Sequence, residues 1–165
     1  MIKNINHQQM VIDALCKSLA DVMPEVRAKA ADSLGKIGSE IAVTALLNTI
    51  YDVDITVRLS AIKALGEIRS SIAIPQLVKL LLDTNWEIRA MAVEALGKIG
   101  PETVISYLSN ALDDDNAVVR STAAKALGQI ASEDAIPYLV NAISDADDTV
   151  RSSVIEAIGK IGARE

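Results

Sequence analysis

The chain has 165 residues, half of them hydrophobic, with one Trp, three Tyr, no Phe and a net charge of −6. That acidic balance argues against a nucleic-acid partner, because phosphate binding leans on Lys and Arg. A single cysteine, Cys16, and a single histidine, His7, exclude an internal disulfide and a protein-only structural zinc site. The core must therefore be built from closely packed aliphatic and Ala side chains.

The chain opens on MIKNINHQQM, which lacks the apolar stretch of a secretory signal. Residues 1–8 read as a polar leader. Behind it the sequence predicts one domain, 9–165, of five 31-residue repeats at 9–39, 40–70, 71–101, 102–132 and 133–163. Each repeat holds two helical patterns, A and B.

Repeat one has Val11, Ile12, Leu15 and Leu19 on helix A, then VRAKAADSLGKIG from Val26 on helix B, with Pro24 at the favoured first helical position. The buried set expected there is Val26, Ala30, Ala31, Leu34 and Ile37. In repeat two, Asp54 is the N-cap for VRLSAIKALGEIR. Repeat three shows helix A in AIPQLVKLLLD, 73–83, where Ile74, Leu77, Val78 and Leu81 keep one face apolar. Pro75 and Pro137 place the A helices of repeats three and five as starting near 72 and 134. Asn85, Asn116 and Asp147 cap the remaining B helices, and Gly38, Gly100 and Gly162 are placed to close three of them.

Columns at the shared period carry the strongest signal. Asp21, Asp52, Asp83, Asp114 and Asp145 form one; Arg27, Arg58, Arg89, Arg120 and Arg151 another; Gly35, Gly66, Gly97, Gly128 and Gly159 a third. A glycine inside a helix costs about 1 kcal/mol relative to Ala, so its repetition predicts a contact with no room for a methyl group. These helix pairs predict an all-α fold, an α-solenoid.

The Asp, the Val-Arg six residues on, the Ala-Leu-Gly-x-Ile-Gly and the Ala-Ile-Pro-x-Leu that opens the next A helix resemble HEAT repeats of the short type found in phycobilisome-lyase-like and small stand-alone HEAT proteins. The resemblance covers residues 9–162 and implies a right-handed superhelix of five HEAT-like pairs whose B helices line a concave surface. It also implies that the Asp and Arg columns form a structural ladder between repeats. HEAT-like DNA glycosylases have a basic groove. Here Asp32, Lys63, Glu94, Lys125 and Glu156 alternate in sign, and Lys36, Glu67, Lys98, Gln129 and Lys160 nearly complement them.

Four apolar departures fall on the B helices of repeats two and three: Ile55, Leu59, Trp86 and Met91. Aromatics and Met favour interface cores, so these four are the candidate contacts for a protein partner. Tyr107 and Tyr138 share a column outside helix A and are expected to stack. Deoxyhypusine hydroxylases in the wider family carry paired His-Glu motifs for iron. This chain has none, and Cys16 shares a column with Leu47, Val78 and Val140 that reads as core.

The expectation is a non-enzymatic scaffold or adaptor without cofactor or metal, cytoplasmic, with no membrane helix and no nucleic-acid partner. The alternative that the resemblance implies is an accessory subunit of a bilin lyase or other modifying enzyme. Both terminal repeats keep core-pattern residues, Val154, Ile155, Ile158 and Ile161 at one end. That predicts either a homo-oligomer through uncapped ends or a piece of a longer array.

Overall fold

The Ala-rich B segments form the long helices because Ala and Leu hold helical backbone at least cost. The computed structural model describes residues 2–163, with side chains from residue 7 onward. Met1, Arg164 and Glu165, which belong to the leader and the carboxyl end, lie outside the described residues. Helix α1 spans Ile2–Ser18, so positions 2–8 continue the first A helix. The B helices are α2 (Pro24–Ile37), α4 (Ile55–Ile68), α6 (Trp86–Ile99), α8 (Ala117–Ile130) and α10 (Asp148–Gly162). The later A helices are short: α3 (Val43–Thr49), α5 (Ile74–Leu80), α7 (Ile105–Asn110) and α9 (Ile136–Asn141).

Each short A helix is entered through a 3-10 turn, at Glu40–Ala42, Ser71–Ala73, Glu102–Val104 and Glu133–Ala135. The A helix expected over 73–83 is therefore a tight turn followed by seven α-helical residues, and Leu81 and Leu82 fall in the turn after it. Pro75 and Pro137 lie in the first α-turns, where a missing N–H leaves no bond unmade. The fold is an all-α solenoid, with no strand among the described residues.

The contacts divide the chain into two compact units, 1–73 and 74–165, the first holding repeats one and two and the second most of repeats three to five. In the first unit α2 lies along α4, with α1 behind α2 and α3 behind α4. Ile12, Leu34, Leu46, Ile50 and Ile62 are fully buried there. In the second unit α8 lies between α6 and α10, backed by α5, α7 and α9. Leu77, Ile88, Leu96, Leu108, Leu127 and Leu139 fill its core. Each such side chain contributes about 1.5–3 kcal/mol relative to exposure.

The helix ends follow sequence chemistry in most repeats. Asp54 accepts from the Thr56 and Val57 amides, Asn85 from Glu87, Asn116 from Val118, and Asp147 from Thr149 and Val150. Met23 gives α2 no side-chain cap, and Pro24 follows it. Gly38 and Gly100 close α2 and α6 in the left-handed conformation. Gly162 does not: it remains in α10, and Ala163 continues right-handed backbone. Helices α4 and α8 instead end on left-handed Arg69 and Ala131, at φ 60° and 55°. A side chain there costs about 1–2 kcal/mol.

Two burial expectations need correction. Val26 is 41% exposed, although Val57, Ile88, Val119 and Val150 in its column are at most 1% exposed. No earlier repeat among the described residues covers it. Cys16 is half-buried, and Val140 in its column is exposed, so this column borders the core without belonging to it. Burial, then the charge of Asp13, pushes the Cys16 thiol pKa up.

The glycine column explains why the B helices pack so closely. A Cβ on Gly35 would stand 2.7 Å from Ala64 Cα, one on Gly97 2.6 Å from Ala126 Cβ, and one on Gly128 2.8 Å from Ala157 Cα. Beside Gly159 the same position is open. We expect Gly97→Ala to lower stability by about 1–3 kcal/mol through overpacking. Gly159→Ala is expected to raise it by up to about 1 kcal/mol through helix propensity. Urea unfolding of dilute protein checks both; a stabilised Gly97→Ala would show that no tight contact exists there.

Candidate functional site

The turns between A and B helices carry a repeated charged device. In the first unit Arg27 donates from Nε and Nη2 to the two oxygens of Asp52, both at 2.7 Å, and from Nη1 to the Asp21 and Val22 carbonyls at 2.9 and 3.3 Å. In the second unit Arg89 holds Asp114 at 2.7 Å through both nitrogens and reaches the Asp83 carbonyl at 3.0 Å. Arg120 holds Asp145 at 2.7 and 2.9 Å and the Asp114 carbonyl at 2.9 Å. Each carboxylate also accepts from the amide two residues on: Asp52 from Asp54, Asp114 from Asn116, Asp145 from Asp147. Only a planar guanidinium offers enough donors in the right directions for all of these.

Arg58 donates from Nε to the Ile50 carbonyl at 3.1 Å. Arg151 donates to the Asp145 and Ala146 carbonyls at 2.8 and 2.9 Å. Asp21 accepts from the Met23 amide at 2.8 Å. In the acidic run 113–115, Asp115 adds a bond to Arg89 at 2.6 Å, and Asp113 is exposed.

The Arg27 hydrogen bonds hold Asp52 below the usual carboxylate range, against burial, and Arg120 does the same for Asp145. Burial works against Asp114, yet the bonds from Arg89 and the Asn116 amide outweigh it and its pKa is also lowered.

The four candidate contact residues are split between the units. Ile55 opens α4 behind the Asp54 cap, and Leu59 follows one turn later on the same face; both are half-buried. Trp86 opens α6 behind the Asn85 cap and is 41% exposed. Met91 is half-buried and, five residues on, sits about 140° around the helix from Trp86. The structure brings Ile55 and Leu59 together and separates Trp86 from Met91.

Sequence reasoning missed the exposed apolar residues on the A–B turns of each unit. In the first unit Val22 is 89% and Val53 99% exposed, with Met23 and Tyr51 also exposed nearby in sequence. In the second unit Leu82 is 87% exposed. It borders a groove of about 270 Å³ that Val78, Leu81, Val93 and Tyr107 line above Arg89 and Asp114. The signal was available: Val22 and Val53 share a column in turns where polar residues are the norm.

Tyr107 and Tyr138 line separate grooves. On the outer face of the B helices, Glu94 pairs with Lys98 at 2.8 Å and Glu156 with Lys160 at 2.6 Å. Among the described residues no group of three or more His, Cys, Asp or Glu is placed to hold a metal ion. No helix there is long and apolar enough to cross a membrane.

A family model for HEAT repeats matches residues 43–124 and 105–165, and a model of the HEAT repeat matches residues 11–41. No curated protein sequence matches significantly. Among solved structures, the complex of CpcE and CpcF of phycocyanin lyase from Nostoc sp. PCC7120 is similar at TM-score 0.78 and 22% identity over 92% of this chain, which spans 65% of that chain's length. A designed armadillo repeat protein in complex with the peptide (KR)4 is similar at TM-score 0.69 and 25% identity, covering 93% of this chain and 84% of that one. An engineered protein matches at TM-score 0.62 and 27% identity over 98% of this chain and 83% of its own.

The three paired aspartates set the pH dependence. Their folded pKa values lie below the unfolded ones, so the stability they add is present above the ordinary carboxylate range and is lost as pH falls through the folded values. We expect urea-unfolding stability to fall progressively below about pH 4. Asp145→Asn is expected to cost about 1–3 kcal/mol near neutral pH and to flatten that decline. A variant with the full acid dependence of the wild type would contradict this role.

Proposed function

The chain belongs to the HEAT-repeat family, and from that premise we propose that it is a non-enzymatic scaffold or adaptor that binds another protein through its B helices. Trp86 carries this reading. It is the largest side chain in the protein, and the Asn85 cap fixes the backbone at the head of α6 so that the indole stays partly in solvent. A partly exposed Trp on a rigid helix start suits an interface anchor, since burying it on a partner gains apolar area at little conformational cost. Ile55 and Leu59 extend the proposed contact on the first unit, and Met91 on the second. The designed repeat protein that carries a peptide supports the use of such a solenoid for binding. A reducing, cytoplasmic setting is part of the proposal and fits a single half-buried thiol.

A second reading, an accessory subunit of a bilin lyase, has likeness of fold to the Nostoc lyase complex as its support. Visible absorbance in the purified protein, or bilin transfer after a partner is added, would favour it over the adaptor.

The test is affinity capture from native lysate with the wild-type chain and with a Leu59→Glu, Trp86→Ala double variant of confirmed helicity. The proposal expects one specific protein to be lost from the variant. That partner, purified, should shift the emission of the sole tryptophan to shorter wavelength on binding the wild type. An identical catch from both chains would remove these residues from the interface.

A further inference from the structure

The A-helix side of the second unit carries one groove twice, a repeat apart, with its lining changed. The first lies between α5 and α7 and encloses about 270 Å³, with Val78, Leu81 and Leu82 on one wall and Tyr107, Asn110 and Ala111 on the other. The second lies between α7 and α9 and also encloses about 270 Å³; there Ser109, Leu112 and Asp113 face Tyr138, Asn141 and Ala142. Each residue of the second set stands one 31-residue period after its counterpart in the first. Both walls of each groove come from consecutive repeats inside the unit.

Two differences between the copies change what each groove accepts. Val78 and Leu82 make the first apolar, and its charged groups, Arg89 and Asp114, are paired with each other through two bonds of 2.7 Å. At the same places the second groove has Ser109 and Asp113. Ser109 is 5% exposed and donates its proton to the Ile105 carbonyl at 2.8 Å, which leaves its oxygen as an acceptor. Asp113 is exposed and takes no part in the Arg89 or Arg120 pairs. Past Tyr138 and Asn141 the furrow opens into a recess of about 810 Å³ bordered by Glu102, Glu133 and Asp134. No Lys or Arg lines either part.

We propose that this pair of grooves binds an extended segment of another protein that carries an apolar side chain and, three residues away, an arginine. Charge complementarity selects that occupant. A guanidinium in the second groove meets Asp113 and the carboxylates of the recess, whereas an acidic segment would be repelled by them. The Tyr138 ring, 45% exposed, gives the guanidinium a face to stack on. Spacing selects the conformation. Packed helices lie about 8–10 Å apart. A polyproline II segment rises about 3.1 Å per residue with three residues per turn, so it returns to the same side every ~9 Å. Asn110 and Asn141 end α7 and α9 and are exposed. Each offers a donor and an acceptor to the peptide groups that polyproline II leaves unpaired. The inference stands apart from the B-helix reading, since none of Ile55, Leu59, Trp86 and Met91 lines either groove.

An NMR titration of the isotope-labelled full chain with a peptide containing Leu-Pro-Pro-Arg tests it, the prolines favouring the required backbone. The expected result is saturable shifts of the Asn110 and Asn141 carboxamides and the Tyr107 and Tyr138 rings, with a Kd between about 10 μM and 1 mM. A Leu-Pro-Pro-Glu peptide should bind at least about tenfold more weakly. Asp113→Lys, at an exposed position, should erase most of that preference. Leu82→Glu should weaken the arginine peptide and leave its advantage over the glutamate peptide in place. Equal affinity for the two peptides overturns the proposal, and so does a full preference for arginine in Asp113→Lys. Shifts confined to the B helices, or no saturation by about 10 mM peptide, overturn it as well.

Discussion

A guanidinium at the start of each B helix has more donors than its own repeat can satisfy, and much of the architecture follows from where the surplus goes. Arg27, Arg89 and Arg120 each spend one nitrogen on the carbonyls of their own A–B turn and two on the carboxylate of the next turn. That carboxylate in turn orders the amide two residues on, at the position that caps the next B helix. One bidentate pair therefore fixes the spacing of two turns and the start of a helix. These pairs are largely shielded from water, so removing one partner would leave a poorly solvated charge behind.

The glycine column sets the approach about two turns further along the same helix, against the same following repeat. Where Gly35, Gly97 and Gly128 meet Ala64, Ala126 and Ala157, the backbones come too close for a methyl group. The charged seam fixes register and the glycine seam fixes distance. With both inside the repeat, the outward positions are free to vary, which is where Trp86, Leu59 and the exposed turn valines stand. The proposed adaptor role places binding in these departures from the repeat and not in the repeat itself.

Much of this was legible in the sequence because an uninterrupted period turns single residues into columns. The helix pairs, the caps at Asp54, Asn85, Asn116 and Asp147, and the tight glycine contacts all follow from columns. What escaped lies where a column is broken by its surroundings. Arg69 and Ala131 share the column of the helix-closing Gly38 and Gly100 and take the same left-handed backbone, so the period marks the position while the residue type hides it. Val26 matches its column in type and differs in exposure, since burial depends on the neighbouring repeat and not on the residue. Of the candidate site, the residues could be picked out as exceptions. The exposed Val22 and Val53 were signalled by their shared column and overlooked, whereas the half-burial of Leu59 and Met91, with Trp86 more open, required the packed helices.

A double-mutant cycle on Arg120→Gln and Asp145→Asn, with unfolding free energy as the readout, bears most directly on the claim that the charged columns hold the repeats together. The account predicts a coupling of at least about 1 kcal/mol that disappears in acid as the carboxylate is protonated. Additive losses at neutral pH would contradict it. The columns would then be a charged surface in their own right, and the search for a binding site would have to begin with them.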